Sequence, residues 1–187
     1  MLEWLAEIDT ILFLFFNVTL SNPVTNFLMP VITSDNLLRV GYGSAMILIL
    51  WKGDVRLRWL VLFSILTLTA TDQLASHFFK PLIERARPCQ IMENINLLVN
   101  CGAGFAMPSS HAANAFGQAA IFGLLLKKSR LPLIALASVV AFSRVFVGVH
   151  FVGDILAGAL LGIFAGMILM LLFKQFERKY INRALSD

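Results

Sequence analysis

The feature that most limits how this chain can fold is a series of long apolar runs. The clearest of them, residues 151–173, contains a single charged residue, Asp154. A helix that spans a bilayer needs about 20 predominantly apolar residues. Of the whole chain, 58% is hydrophobic and 14% is charged, whereas a soluble domain averages about 25% charged residues. The sequence therefore predicts an all-α integral membrane protein.

Hydropathy and length predict about six transmembrane helices that form one bundle. The five clearest spans cover roughly residues 38–51, 57–79, 111–126, 131–147 and 151–173. Residues 1–36 are less regular, because Glu3, Glu7 and Asp9 precede an apolar run and two prolines follow it. We expect a sixth span here, with an amphipathic helix lying on the membrane as the alternative. The whole chain, 1–187, is expected to form a single membrane-embedded domain.

The basic residues predict how the helices are oriented. Ten of the 15 lie in or beside three connections: Lys52, Arg56, Arg58, Lys127, Lys128, Arg130, Lys174, Arg178, Lys179 and Arg183. Connections rich in Lys and Arg face the cytoplasm. The other five fall at the opposite helix ends: Arg39, Lys80, Arg85, Arg87 and Arg144. The net charge of +4 thus follows membrane topology and does not indicate a nucleic-acid partner.

A polar segment, residues 143–154, interrupts the apolar sequence. Charged groups at membrane depth are costly and usually functional. His150 and Asp154 are four residues apart, so in a helix the carboxylate could orient the imidazole for proton transfer or attack. Arg144 adds a planar cation that suits phosphate. The alternative is an Arg–Asp pair that stabilises a helix hairpin beside an interfacial histidine.

Two further polar groups are predicted on the same membrane face. Lys80 and Arg87 are seven residues, or two helical turns, apart and can bind an anion or simply snorkel at a helix end. The span over residues 111–126 is preceded by Ser109 and Ser110 and begins with His111, and free N–H groups and the helix dipole at this end favour an anion. A plain helix cap is the alternative. Together the three groups could hold and attack a phosphoryl group without a metal.

Three ordered motifs resemble those of the type 2 phosphatidic acid phosphatase (PAP2) family. They are Lys80-x6-Arg87-Pro88, Pro108-Ser-Ser-His111 and Ser143-Arg144-x5-His150-x3-Asp154. The resemblance covers residues 80–154 and implies the membrane branch, which consists of lipid phosphate phosphatases. One departure is Ser110, where the family usually has glycine. Because the backbone N–H is still available there, we expect activity with a tighter phosphate pocket.

The resemblance implies a mechanism through a phosphohistidine, with no metal and no cofactor. In that mechanism His150 attacks phosphorus, Asp154 orients it, and His111 protonates the leaving oxygen and then activates water. The implied phosphate ligands are Lys80, Arg87, Ser109, Ser110 and Arg144. The residue types alone do not decide which histidine attacks, although only His150 has an acid one turn away.

The sequence therefore predicts a phosphatase for lipid phosphates or pyrophosphates, with its site on the extracytoplasmic face of the inner membrane. The candidate substrates are lipid A 1-phosphate, undecaprenyl pyrophosphate, phosphatidylglycerol phosphate and phosphatidic acid. A lipid phosphotransferase with the same site is the first alternative. A non-enzymatic anion transporter is less favoured because no internal repeat is evident. The expected partners are the lipid substrate and membrane lipids.

Two local features leave alternatives open. Cys89 and Cys101 lie in one polar connection, where a disulfide would add roughly 3 kcal/mol. Spacing alone does not distinguish a disulfide from two free thiols. Gly158, Gly162 and Gly166 form a stripe that lets another helix approach closely, either within the chain or in a dimer.

Overall fold

The structure is a computed structural model that describes residues 2–181, and this range is helical with no β-strand. Arg183, one of the basic residues used to orient the helices, lies outside the described residues. The helices are α1 Leu2–Leu14, α2 Pro23–Ile32, α3 Asp35–Lys52, α4 Val55–Gln73, α5 Lys80–Ile83, α6 Pro88–Ile91, α7 Ser110–Leu125, α8 Arg130–Phe146 and α9 Val152–Phe176. Segments of π-helix prolong α1, α4 and α9: Phe15–Thr19, Leu74–Phe79 and Glu177–Ile181.

Within residues 2–181, three helical stretches are long and apolar enough to cross a membrane: Val55–Ile91, Lys127–Phe146 and Val152–Ile181. The stretches Glu3–Thr19 and Pro23–Ile32 pass the same test together, but they are bent by 113° at the break between them. The all-α membrane fold is therefore confirmed. The structure gives three spans, or four if the bent pair is one, and the expected total of about six stays a prediction.

The helix α7 has only 16 residues and lies at the centre of the bundle, packed against α4, α8 and α9. Since protein covers it, it can carry polar groups that lipid would not tolerate. Asn114 Oδ1 accepts a hydrogen bond from the Thr71 hydroxyl over 2.6 Å, and Gln118 Nε2 donates to the backbone oxygen of Ser64 over 3.0 Å. These bonds join α7 to α4 below the site.

The glycine stripe of α9 packs within the chain. A methyl group added at Gly162 would collide with the backbone oxygen of Ala113 in α7, and one at Gly166 would lie 2.7 Å from that of Gly117. The two helices therefore touch backbone to backbone, as close packing at small residues allows. This contact brings the first turns of α7 and α9 together, and the predicted site residues lie in and beside these two turns.

Residues 3–32 fold into two helical segments at a sharp angle. The first segment ends at Thr19, and Asn22 caps α2, because its Oδ1 accepts hydrogen bonds from the N–H groups of Val24 and Thr25 over 2.9 and 3.1 Å. Pro23 stands at the first helical position, where its missing N–H costs little. The cap and the proline explain why one continuous helix does not form here.

The turn between α8 and α9 is fixed by a buried asparagine. Asn17 lies in the π-helical extension of α1 and is 0% exposed. Its Nδ2 donates to the backbone oxygens of Phe146 and Asn96 over 2.8 and 2.9 Å, and its Oδ1 accepts from Asn96 N over 2.8 Å. Gly148 has a φ of 88°, which glycine adopts without strain. The turn that leads to His150 is therefore held from the N-terminal segment.

Cys89 and Cys101 form a disulfide with their Cα atoms 5.9 Å apart. The pairing settles the alternative that sequence spacing left open. The bridge closes the connection between α6 and α7 beside Arg87, whose guanidinium reaches into the same loop.

Candidate active site

His150 and Asp154 lie together at the junction between α8 and α9. His150 precedes α9 and Asp154 lies in its first turn, so the pair does not share one helix as the spacing suggested. The imidazole Nδ1 is nevertheless 3.4 Å from Asp154 Oδ2, which also accepts a hydrogen bond from the N–H of Phe151 over 2.8 Å. Both side chains are buried. The carboxylate faces one ring nitrogen, which leaves Nε2 for chemistry.

Arg85 binds the same carboxylate, although nothing in the sequence indicated a role for it beyond its place on the outer side. Its Nη1 donates to Asp154 Oδ1 over 2.8 Å, and its Nη2 donates to Asp9 Oδ2 over 2.7 Å. The available signal was that Arg85 is a basic residue on the non-cytoplasmic side. Asp9 offered no comparable signal, because it lies 76 residues from its partner.

The first turn of α7 joins the other two motifs. The Ser109 N–H donates to the backbone oxygen of Asp154 over 3.0 Å, so its hydroxyl, and not its N–H, is the group without a partner. Ser110 Oγ accepts a hydrogen bond from Lys80 Nζ over 3.0 Å and lies 3.1 Å from Ser76 Oγ. The hydroxyl that replaces the usual glycine therefore holds the Lys80 ammonium in place.

Lys80 and Arg87 reach the site from different backbone conformations. The helix ends at Ile83, and Glu84 has a φ of 51°. The two-turn helical relation expected between the two cations is therefore wrong. Arg87 lies on extended backbone, and its Nε donates to the backbone oxygen of Gly104 over 2.8 Å. The loop closed by the disulfide thus orients this guanidinium.

Arg144 lies in the last turn of α8 and is held by the end of α2. Its Nη1 donates to the Thr33 hydroxyl over 2.7 Å, while its Nε is buried without a partner. Thr33 is buried as well. Nothing in the sequence indicated this contact, because its two residues are 111 positions apart along the chain.

His111 also has an acid beside it. Its Nε2 lies 3.1 Å from Asp35 Oδ1, although the angle does not make a good hydrogen bond. Asp35 is the first residue of α3 and its side chain is 66% exposed. The sequence argument for His150 as the nucleophile used the acid near it along the chain. The structure gives each of the two histidines a carboxylate, so nearness of an acid does not by itself distinguish them.

Unpartnered polar atoms are concentrated in this region. Across residues 2–181, the buried side-chain atoms without a hydrogen bond of good geometry are Ser109 Oγ, His111 Nε2, Arg144 Nε and His150 Nδ1. All four belong to residues that the sequence predicted for the site. Such groups are rare in folded proteins and cost about 1–3 kcal/mol each. His150 Nδ1 and His111 Nε2 each face a carboxylate, so Ser109 Oγ and Arg144 Nε are the two that remain available for a ligand.

Positive charge surrounds His150, which lies in the connection between two spanning helices. Burial lowers the pKa of His150 well below its ordinary value, and the charges of Arg144, Arg87 and Lys80 lower it further. The imidazole is therefore neutral at neutral pH, which a nucleophile requires. An anion among the same three cations would be stabilised by charge-assisted hydrogen bonds. Within residues 2–181, no three His, Cys, Asp or Glu side chains are grouped so that they could hold a metal ion.

Known proteins are similar to this chain in both sequence and fold. The PAP2 superfamily matches residues 59–178 of the chain. The lipid A 4′-phosphatase of Bacteroides thetaiotaomicron is 35% identical in an alignment of 198 positions, gaps included. The alignment covers 100% of this chain and 84% of that protein. Phosphatidylglycerophosphatase B of Bacillus subtilis is 34% identical over 121 residues, which cover 58% of this chain and 54% of that protein.

A solved structure agrees with these matches. The crystal structure of a transmembrane PAP2-type phosphatidylglycerolphosphate phosphatase from Bacillus subtilis superposes with a TM-score of 0.70 at 27% identity, covering 94% of this chain and 87% of that one. The three motifs all fall inside the matched range 59–178. The chain therefore belongs to the PAP2 superfamily and is a membrane-embedded lipid phosphatase.

Proposed function

We propose that the enzyme removes a phosphate from a membrane lipid through a phosphohistidine at His150, without a metal ion. The observation that carries this proposal is the set of unpartnered buried atoms on Ser109, His111, Arg144 and His150. Ser109 Oγ and Arg144 Nε provide a hydroxyl and a guanidinium for the phosphate, while His111 Nε2 and His150 Nδ1 each face a carboxylate that can orient the imidazole. This combination suits a tetrahedral anion that is to be attacked.

The proposed reaction has two steps. In the first, His150 Nε2 forms a bond to phosphorus while the bond to the lipid oxygen breaks and His111 gives that oxygen a proton. In the second, His111 takes a proton from water, the water oxygen attacks phosphorus, and the N–P bond breaks to release inorganic phosphate. Asp154 orients His150 and offsets its positive charge in both steps. The phosphate oxygens are held by the ligands proposed from the sequence: Lys80, Arg87, Ser109, Ser110 and Arg144.

The preferred substrate is the 4′-phosphate of lipid A. The supporting observation is the relative named lipid A 4′-phosphatase, whose match extends over the whole chain. The sequence had suggested the 1-phosphate of the same lipid, and the relative's name favours the other position. Phosphatidylglycerol phosphate is the second candidate, since one relative and one superposed structure carry that activity in their names. Undecaprenyl pyrophosphate and phosphatidic acid remain in the panel.

We place the site on the extracytoplasmic face of the inner membrane. The positive-inside rule assigns the opposite ends of the helices to the cytoplasm. The Cys89–Cys101 disulfide supports this orientation, because disulfides persist in oxidising compartments. Cysteine labelling or protease accessibility in spheroplasts would test the assignment.

The decisive experiment is phosphate release from purified protein across the lipid panel. His150→Ala should abolish release, and His77→Ala is the matched control, because His77 is exposed and lies outside the site. Turnover by His150→Ala near the wild-type level would overturn the proposal, as would loss of activity in EDTA. Transfer of phosphate to a second lipid in place of water would identify a phosphotransferase.

A further inference from the structure

The carboxylate that orients His150 is held from both sides. Asp154 Oδ2 faces the imidazole and accepts a hydrogen bond from Phe151 N–H over 2.8 Å. Asp154 Oδ1 accepts one from Arg85 Nη1 over 2.8 Å. The side chain of Asp154 is 0% exposed. A buried carboxylate is stabilised only when its oxygens are paired, so Arg85 is needed for the ionised form.

Arg85 is itself held by a residue from the other end of the chain. Its Nη2 donates to Asp9 Oδ2 over 2.7 Å, and Asp9 Oδ1 accepts a hydrogen bond from the N–H of Gly153 over 2.7 Å. Its guanidinium carbon lies 4.4 Å from the centre of the Phe151 ring, within cation–π distance. Asp9, Arg85 and Asp154 thus form a chain of two ion pairs, and both of its ends contact the first turn of α9: Asp154 belongs to that turn, and Asp9 accepts the hydrogen bond from Gly153.

Gly153 leaves the space that this arrangement requires. A methyl group at that position would lie 2.6 Å from Asp9 Oδ2 and 3.2 Å from Arg85 Nη1. Both distances are shorter than an ordinary van der Waals contact. The glycine therefore matters for the approach of the two side chains, independently of their hydrogen bonds.

The charges also fit a role in the reaction. Two carboxylates share one guanidinium, so the group of three carries one net negative charge beside His150. The other charged groups that act on His150 are cationic: Arg144, Arg87 and Lys80. A negative charge fixed behind the imidazole offsets them when the ring becomes positive on bonding to phosphorus.

We propose that Arg85 and Asp9 are positioning residues of the catalytic site, which hold Asp154 in the orientation that His150 needs for attack. The inference rests on the proposed role of His150 as nucleophile. It extends the site to α1, which lies outside the residues 59–178 matched by the superfamily. The competing explanation is that these ion pairs only tie α1 to α9.

The test compares Arg85→Gln, Arg85→Lys and Asp9→Asn with Glu7→Gln, an exposed carboxylate two residues earlier on α1. We expect Arg85→Gln to lower kcat by about tenfold to a hundredfold, by analogy with residues that orient the side chains which bind a metal. Arg85→Lys should recover part of the loss, since an ammonium can still pair with Asp154. The inhibition constant of inorganic phosphate should change by less than about threefold, because the phosphate ligands are untouched.

A purely structural tie would give a different pattern. It would lower the unfolding temperature and weaken phosphate binding together with kcat, and that result would overturn the proposal. A kcat for Asp9→Asn equal to that of Glu7→Gln would overturn it as well. If Arg85→Gln does not fold, the isosteric variant Asp9→Asn decides between the positioning role and a purely structural one. His150→Ala is assayed in parallel: activity there refutes the proposed function, whereas an inactive His150→Ala beside unaffected Arg85 and Asp9 variants refutes only this inference.

Discussion

Replacing Gly158 by alanine should separate the first turns of α7 and α9. The added methyl group would collide with the backbone oxygen of Ser109 and lie 3.0 Å from the Cβ of Ala112. The Ser109 N–H is hydrogen-bonded to the backbone of Asp154. The strain therefore falls between the proposed phosphate ligands and the acid that orients His150.

Two opposing effects set the size of the change in stability. Alanine is favoured over glycine in a helix by about 1 kcal/mol. Overpacking costs about 1–3 kcal/mol, and here the obstacle is a backbone atom that no side-chain rotation can remove. Because a backbone obstacle places the cost in the upper part of that range, about 2–3 kcal/mol, we expect Gly158→Ala to lower the free energy of unfolding by roughly 1–2 kcal/mol. Activity should fall further, because a displacement of about 1 Å at a reacting centre can cost about a hundredfold.

The matched control is Gly43→Ala on α3, where an added methyl group meets no heavy atom within 4 Å. This variant should keep wild-type activity and gain up to about 1 kcal/mol of stability. Thermal unfolding and the rate of phosphate release, both measured in the same detergent, give the comparison. The reasoning fails if Gly158→Ala equals the wild type in both measurements, or if Gly43→Ala loses as much.

Three further predictions concern the proton donor, the loop and the nucleophile. Asp35→Asn should slow the first step with lipid substrates by about tenfold, since it removes the acid beside His111. An aryl phosphate, whose leaving group needs no proton, should keep the wild-type rate of that step, measured as a pre-steady-state burst, because His111 then acts only on the water of the second step; equal losses for both substrates in the first step would refute this role. Replacing Cys89 and Cys101 together by serine should lower the free energy of unfolding by roughly 3 kcal/mol. The double variant should also raise the inhibition constant of inorganic phosphate, because the loop that the disulfide closes holds the Arg87 guanidinium. An unchanged inhibition constant would contradict this role of the loop. The pKa of His150 is lowered by burial and by nearby cations. Its neutral form therefore persists at pH 7 and is lost only as the pH falls through that lowered value, so the acid limb of the kcat/KM profile should lie below about pH 6.5. An acid limb above that pH would refute the assignment of His150 as nucleophile.

The membrane fold and most of the candidate site could be predicted because each rests on local patterns. Apolar runs of about 20 residues indicate spanning helices whatever their neighbours are. Lys80, Arg87 and Arg144 were identified because they lie at the non-cytoplasmic ends of the helices, where the positive-inside rule does not expect basic residues. The glycine stripe predicted the close approach of α9 to another helix, and the structure places α7 there.

What the sequence did not predict depends on contacts between distant segments. Asp9, Asn17, Thr33 and Asp35 all support the site, yet each meets a partner that lies 76 or more residues away along the chain. Two helical spacings were also misleading. Lys80 and Arg87 are separated by a helix end, and His150 lies before the helix that carries Asp154, although each of these residues still reaches the site.

The bend between α1 and α2 also bears on how the superfamily's motifs can be exchanged between proteins. A segment limited to residues 59–178 contains all three motifs. In this chain it would lack the side chains from residues 1–36 that hold Arg85, Arg144 and the turn before His150. A chimera that joins the motif region to another protein's N-terminal helices would therefore inherit the reacting groups without their supports. A chimera that receives the N-terminal helices and the motif region together should keep its activity, whereas one that receives the motif region alone should lose it.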